Sequence, residues 1–210
     1  MKKGLSLIEL IFTIVIIALV FTVIPKVILS LNKSDKFVIR QDALFNGISM
    51  VHLISNLAWD QNNTNSNNIL HVSSNANLNL DCNDSKHYRI GGFIGSRNCD
   101  DNLSASAISN DGASDYVEYN DIDDFNGIDI NASYYGLHVV VNYIDDNITY
   151  TGNRAIIALN KNSKSYTTSL KFIDLNITYL GKRGQIGGQI SQFSYTSSNI
   201  GQIILNKRAW

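Results

Sequence analysis

The sequence predicts an α+β protein in which a long N-terminal helix, membrane-spanning in its first half, packs on an antiparallel β-sheet domain. Three observations lead there. Leu10 to Ile24 is LIFTIVIIALVFTVI, fifteen residues without a charge. Beyond it Phe37, Leu44, Ile48, Val51, Ile54 and Ala58 recur at spacings of three, four or seven, the period of a helix with one apolar face. After residue 68 the period falls to two, the signature of strands.

The chain opens MKKGLSLIE, which sets a lone carboxylate, Glu9, at the head of the apolar run. A charged group at membrane depth costs roughly 2.5–3.5 kcal/mol on insertion scales, so it marks a function and needs a partner. A run that is apolar on every face has no polar side for water, which argues against a soluble core helix. Nor does Ile24-Pro25-Lys26-Val27-Ile28 offer the small-x-small site of a secretory signal peptide. Lys2 and Lys3 precede the span and favour a cytoplasmic N-terminus, although Lys26, Lys33, Lys36 and Arg40 follow it. Leu5 to Trp59 reads as one helix of 55 residues, roughly 80 Å long at 1.5 Å per residue. Pro25, the only proline, loosens one of its turns.

Gly4-Leu5-Ser6-Leu7-Ile8-Glu9-Leu10 resembles the class III signal of type IV pilins and type II secretion pseudopilins: a short basic leader ending in glycine, then a hydrophobic residue and [ST]-L-I-E-L. The resemblance implies that prepilin peptidase, a membrane aspartyl enzyme, cuts after Gly4 and methylates the new amine of Leu5. It also implies that Glu9 neutralises the charged N-terminus of a neighbouring subunit inside a filament, where each charge alone suffers a desolvation penalty. The long helix is similar to the N-terminal helix of pilins, whose proline lies one position later than Pro25. On this reading residues 1–4 are leader and 5–29 the membrane or filament-core helix. Residues 30–59 continue it amphipathically, and 60–210 form a β-rich domain outside the cytoplasm.

Asp60 to Asn68, DQNNTNSNN, has no apolar residue and reads as a linker or exposed loop. Leu137, Val139, Val141 and Tyr143 then alternate with His138, Val140 and Asn142, and Ile173, Leu175, Ile177 and Tyr179 with Asp174, Asn176 and Thr178. Both stretches read as antiparallel strands. Leu170 and Phe172 have the opposite parity to Ile173, which predicts a β-bulge or strand break between them. Shorter candidates are Ile69 to Ser73, Tyr88 to Ile94, Arg154 to Leu159, Gln189 to Tyr195 and Gln202 to Leu205.

Composition narrows the function. The 17 Lys and Arg are scattered and balanced by 18 acids, for a net charge of −1. That leaves no nucleic-acid footprint and no polybasic lipid patch. Only Glu9 and Glu118 are glutamates, so the surface acids are aspartates among Asn, Ser and Gly, chemistry that favours turns. No G-x-S-x-G, P-loop or G-x-G-x-x-G is present, and no enzyme constellation emerges. Cys82 and Cys99, both in the polar part of the chain, pair as a disulfide in an oxidising compartment. They make no tight C-x-x-C, and His71 and His87 no H-x-x-x-H, so zinc is disfavoured.

Asn120 to Asp129 reads NDIDDFNGID. Asp121, Asp123, Asp124, Asn126 and Asp129 are oxygen ligands of the kind calcium takes, but Ile122 and Ser133 stand where an EF-hand needs its first and last ligands. A calcium loop and a solvated turn both remain open, and calcium is the one cofactor considered. The major pseudopilins carry a calcium loop, and D-[IV]-D-D-[FY]-x-G is similar to a string in some minor pilins of the mannose-sensitive haemagglutinin type.

The acceptor N-x-[ST] occurs six times after residue 59, at Asn62, Asn83, Asn102, Asn131, Asn147 and Asn176, each with aspartate two residues before it. D-x-N-x-[ST] resembles the extended acceptor of the bacterial periplasmic oligosaccharyltransferase. With aspartate at about a tenth of these positions, about one coincidence in six is expected by chance, although Asn and Asp share a preference for turns.

The chain therefore reads as a structural subunit, not an enzyme: an inner-membrane precursor with its domain in the periplasm, later built among other pilins into a pilus or pseudopilus. The 151 residues from Asp60 to Trp210 favour a minor subunit, and Glu9 argues against the tip pseudopilin, which lacks that glutamate. The rival readings are a signal-anchored periplasmic binding domain and a pilus-borne adhesin.

Overall fold

The computed structural model describes residues 7–64, 69–73, 82–83, 88–89, 99–109, 118–146, 148–151, 154–157, 161–181 and 186–200; at 82–83, 88–89, 100–102, 148–151, 154–157 and 186 it describes the backbone alone. The chain divides into two compact units, Met1–Ala43 and Leu44–Trp210. One helix, α1 (Leu7–Ser55, 49 residues), begins in the first and ends in the second.

In the first unit α1 is long and apolar enough to cross a membrane. It runs unbroken through Pro25. From Leu7 to Val38 every residue is exposed. The hydroxyls of Thr13 and Thr22 donate to the carbonyls of Leu10 and Leu19, each at 2.8 Å. Between Leu10 and Ile24 these are the polar side chains, and the bonds satisfy both hydroxyls on the helix's own backbone.

The helix ends four residues before the expected Trp59. Ser55 Oγ and Asn56 Nδ2 both donate to the carbonyl of His52, at 2.8 and 2.7 Å, which satisfies the last turn. The chain then bends away, and Ile122 donates its N–H to the carbonyl of Ala58 at 3.0 Å. A three-residue 3-10 turn, Gln61–Asn63, follows. The expected linker is therefore structured where it begins: Asp60 and Asn63 are fully buried.

Among the described residues ten strands follow: β1 (Ile69–His71), β2 (Cys82–Asn83), β3 (Tyr88–Arg89), β4 (Cys99–Ser104), β5 (Asp129–Asn131), β6 (Tyr135–Tyr143), β7 (Ile148–Thr151), β8 (Arg154–Ile157), β9 (Leu170–Leu180) and β10 (Ile186–Ser198). The main sheet has the order β10-β9-β6-β5 and is antiparallel throughout. The β2–β3 and β7–β8 pairs are antiparallel too, but β1 and β4 run parallel, a direction that strand periodicity does not carry. The expected strand at Gln202 to Leu205 lies outside the described residues.

The last turns of α1 pack on the main sheet. Gly47 is buried, and a Cβ placed on it meets Ile177 Cδ1 at 2.5 Å and the Phe193 ring at 2.9 Å. Glycine is thus what allows helix and sheet to approach so closely. Asn46 Nδ2 donates to the Tyr135 hydroxyl. Ile54, Leu137, Val139, Val141, Ile173, Leu175 and Ile177 supply the core.

β9 pairs with β6 without a break from Tyr135↔Tyr179 to Tyr143↔Lys171, so the bulge expected between Phe172 and Ile173 does not exist. The change of parity has another cause. At this end both faces of the strand are covered, with Leu170 and Phe172 clustering with Ile144 on one and Ile173 continuing the core on the other. The register shifts fall instead in β10, around Gln189. Beyond β10, Asn199 bonds both backbone groups of Leu70: its Oδ1 accepts from the N–H at 3.1 Å and its Nδ2 donates to the C=O at 2.7 Å.

Candidate functional site

The processing residues Gly4 and Leu5 lie outside the described residues. Glu9 stands in the first turn of α1, exposed, where the positive end of the helix dipole favours a carboxylate. It is the one acid on the helix until Asp35.

A second constellation lies in the second unit, around a lysine. β9 carries Lys171 at the parity of Ile173, Leu175 and Ile177, so the strand aims it into the core, opposite Tyr143 of β6. It is fully buried. Its Nζ donates to the carbonyl of Trp59 at 2.8 Å, to Asp60 Oδ2 at 3.3 Å and to Asp123 Oδ2 at 2.7 Å. The ring centroids of Trp59 and Tyr143 lie 4.1 and 5.1 Å from Nζ, and the two rings meet edge-on at 6.0 Å. Aromatic faces attract a cation and shut out water.

The acids come from two loops. Asp60 Oδ1 accepts from the N–H of Asn62 at 3.1 Å, and Oδ2 from the N–H and hydroxyl of Ser106 at 2.9 and 3.0 Å. Tyr143 closes the ring by donating its hydroxyl to the carbonyl of Ser106 at 2.7 Å. Asp123 opens the 3-10 turn Asp123–Phe125. Asp121 Oδ1 caps that turn, accepting from the N–H groups of Asp123 and Asp124 at 2.9 and 3.1 Å, while Asp124 Oδ2 accepts from those of Asn120 and Asp121 at 2.9 and 3.3 Å. The turn thus satisfies its own backbone with its own carboxylates.

Burial pushes the Asp123 carboxyl up to about 7, against the pull of Lys171, and that of Asp121 up to about 6. Desolvation likewise pushes the Tyr143 hydroxyl upward. Each shift disfavours a charge that water cannot reach.

The expected calcium residues are divided between tasks. Asp121, Asp123 and Asp124 are buried, so the solvated turn is corrected to a buried knot of acids with a lysine as its cation. Asn126 Oδ1 accepts from the N–H of Val141 at 3.0 Å. Gly127 follows at φ +78°, a left-handed turn, and donates to the carbonyl of Val139 at 2.9 Å. Asp129 is exposed and pairs with His138 Nδ1 at 2.7 Å. Among the described residues no three His, Cys, Asp or Glu side chains are grouped so as to hold a metal ion.

Of the acceptor asparagines, Asn62 is exposed and donates to the carbonyl of Ser104 at 2.7 Å. Asn131 is exposed on the edge strand β5. Asn176 sits between His138 and Gln192 on the inner strand β9, with a buried Oδ1. Asn83 and Asn102 fall on β2 and β4, where the backbone alone is described, and Asn147 lies outside the described residues. Cys99 is buried and disulfide-bonded, and the chain's other cysteine is Cys82.

Asp60, Lys171 and Tyr143 were not singled out by sequence reasoning, yet one signal was present. Lys171 interrupts LKFI at a position whose parity belongs to the core, and a lysine there must find carboxylates or unfold the strand. No protein-family model matches the chain, and no curated protein or solved structure is similar enough to match.

Proposed function

We propose that this chain is a structural subunit of a type IV pilus or type II secretion pseudopilus, made as an inner-membrane precursor with its second unit in the periplasm. The observation that carries the reading is GLSLIEL at the head of a helix whose every residue from 7 to 38 is exposed, with Glu9 as its first carboxylate. So large an exposed apolar surface needs lipid or neighbouring helices around it. A subunit that leaves the bilayer for a filament exchanges the one for the other. In that exchange Glu9 meets the amine of a neighbour, which explains a charge that a simple anchor has no use for.

Prepilin peptidase is then the first partner and other pilins the next. The expected mature chain begins at N-methylated Leu5, which intact-mass analysis of the membrane form reads directly; a chain beginning at Met1 in cells with active peptidase makes the helix a plain anchor. Glu9→Leu is expected to insert as well as wild type but to drop out of sheared filaments. Equal incorporation of the variant removes the pairing argument.

A further inference from the structure

The core of the second unit encloses an amine and two carboxyls within reaction distance, and we propose that Lys171 and Asp123 condense to an intramolecular amide bond, with Asp60 relaying the proton. All three side chains are at most 2% exposed. Lys171 stands on a strand paired on both sides, and Asp123 in a turn capped by Asp121, so neither group has far to wander. Holding reactants at contact distance replaces a bimolecular encounter with a unimolecular step.

The geometry also distinguishes the two acids. Asp60 has both oxygens engaged by Asn62 and Ser106. Asp123 has Oδ2 on Lys171, while its Oδ1 is buried with no hydrogen-bond partner among the described residues. Two carboxyls thus face one amine, and Asp123 is the one whose second oxygen is not already held. A protonated carboxyl is the form that an amine attacks.

The step balances without a co-reactant. Lys171 gives one proton to Asp123 along the 2.7 Å contact, leaving a neutral amine beside a neutral acid. The carbonyl of Trp59 and Oδ2 of Asp60 hold the two remaining N–H groups, so the lone pair faces Asp123. As the side chain of Asp123 turns, Nζ bonds to its Cγ. Asp60 Oδ2 accepts a proton from Nζ and hands it to the departing hydroxyl, the general acid–base role of a positioned carboxylate. The Cγ–O bond breaks and one water leaves. An ammonium and a carboxylate have become an amide and water, no electron has changed hands, and Asp60 ends as it began. The rings of Trp59 and Tyr143 keep out the solvent that hydrolysis would need.

The test is the mass of the full-length chain purified in detergent, with its disulfide reduced and its N-terminal processing accounted for. The expected mass is lower by one water, and trypsin on the denatured protein leaves a branched peptide joining Lys171 to Asp123. An undiminished mass, with cleavage after Lys171, overturns the proposal. So does loss of one water with Lys171 still cleaved, because that locates the loss in an aspartate succinimide. Asp60→Asn is expected to keep the full mass. A condensed Asp60→Asn chain removes Asp60 from the mechanism.

Discussion

In the first unit the apolar side chains are outside, and in the second the charges are inside. Phe12, Ile16 and Phe21 of α1 are more than half exposed, while Lys171 and Asp60 are at 0%. Polarity alone would reverse both. What decides is the partner that each group needs: an apolar surface of this size calls for lipid or other helices, and the lysine carries its counter-charges into the core with it. Burial therefore follows complementarity, and each unit can be broken by removing the complement.

The largest effect is expected from Lys171→Ala. It strands the carboxyls of Asp60 and Asp123 in a space closed to water, and removing one partner of a buried pair costs about 3–5 kcal/mol. Chemical denaturation in detergent reads the loss. Ile17→Ala, on the exposed helix, should leave the second unit's unfolding within about 0.5 kcal/mol of wild type. A large effect of Ile17→Ala would mean that the contrast between the units is false.

Gly47→Ala comes next. The methyl must displace Ile177 and Phe193, and overpacking of this kind costs about 1–3 kcal/mol, read from the same denaturation midpoint. Wild-type stability would show that α1 and the sheet can separate freely.

The third effect is on pH. Asp121 and Asp123 ionise near 3.8 when unfolded but hold their protons to about 6 and about 7 when folded. Folding thus takes up protons across that window. The contribution of these groups to stability is fully present below 3.8 and is lost as pH rises through their folded values. The second unit should melt at a higher temperature near pH 5.5 than near pH 8. A chain with Lys171 already joined to Asp123 keeps only the Asp121 part, so the size of the shift distinguishes the two forms.

The smallest expected effect is glycan occupancy, in a host with the matching transferase. Asn131, exposed on an edge strand, should be modified more than Asn176, whose backbone is paired on both sides. Glycopeptide mass spectrometry gives the ratio. Greater occupancy at Asn176 would mean that transfer precedes folding.

The helix and the two long strands were legible because each repeats its pattern over many residues, and Leu137 to Tyr143 and Ile173 to Tyr179 stand where their alternation put them. The buried cluster was not legible. Asp60 heads a string of polar residues, and polarity argues for exposure until a partner is known; that partner lies 111 residues away. The same blindness made Asp121 to Asp124 a solvated turn, since acid-rich turns look alike before their counter-charge is located. At Leu170 and Phe172 the change of parity comes from a second covered face and not from the backbone, which sequence parity alone does not distinguish.

The grip of Asn199 on Leu70 spans 129 residues. At a synthesis rate of about 5–20 residues per second, β1 waits roughly 6–26 seconds on the ribosome before the residue that clasps it has been made. Contacts of such long range also close slowly once the chain is complete. For that interval the N–H and C=O of Leu70 stand without the side chain that later satisfies them.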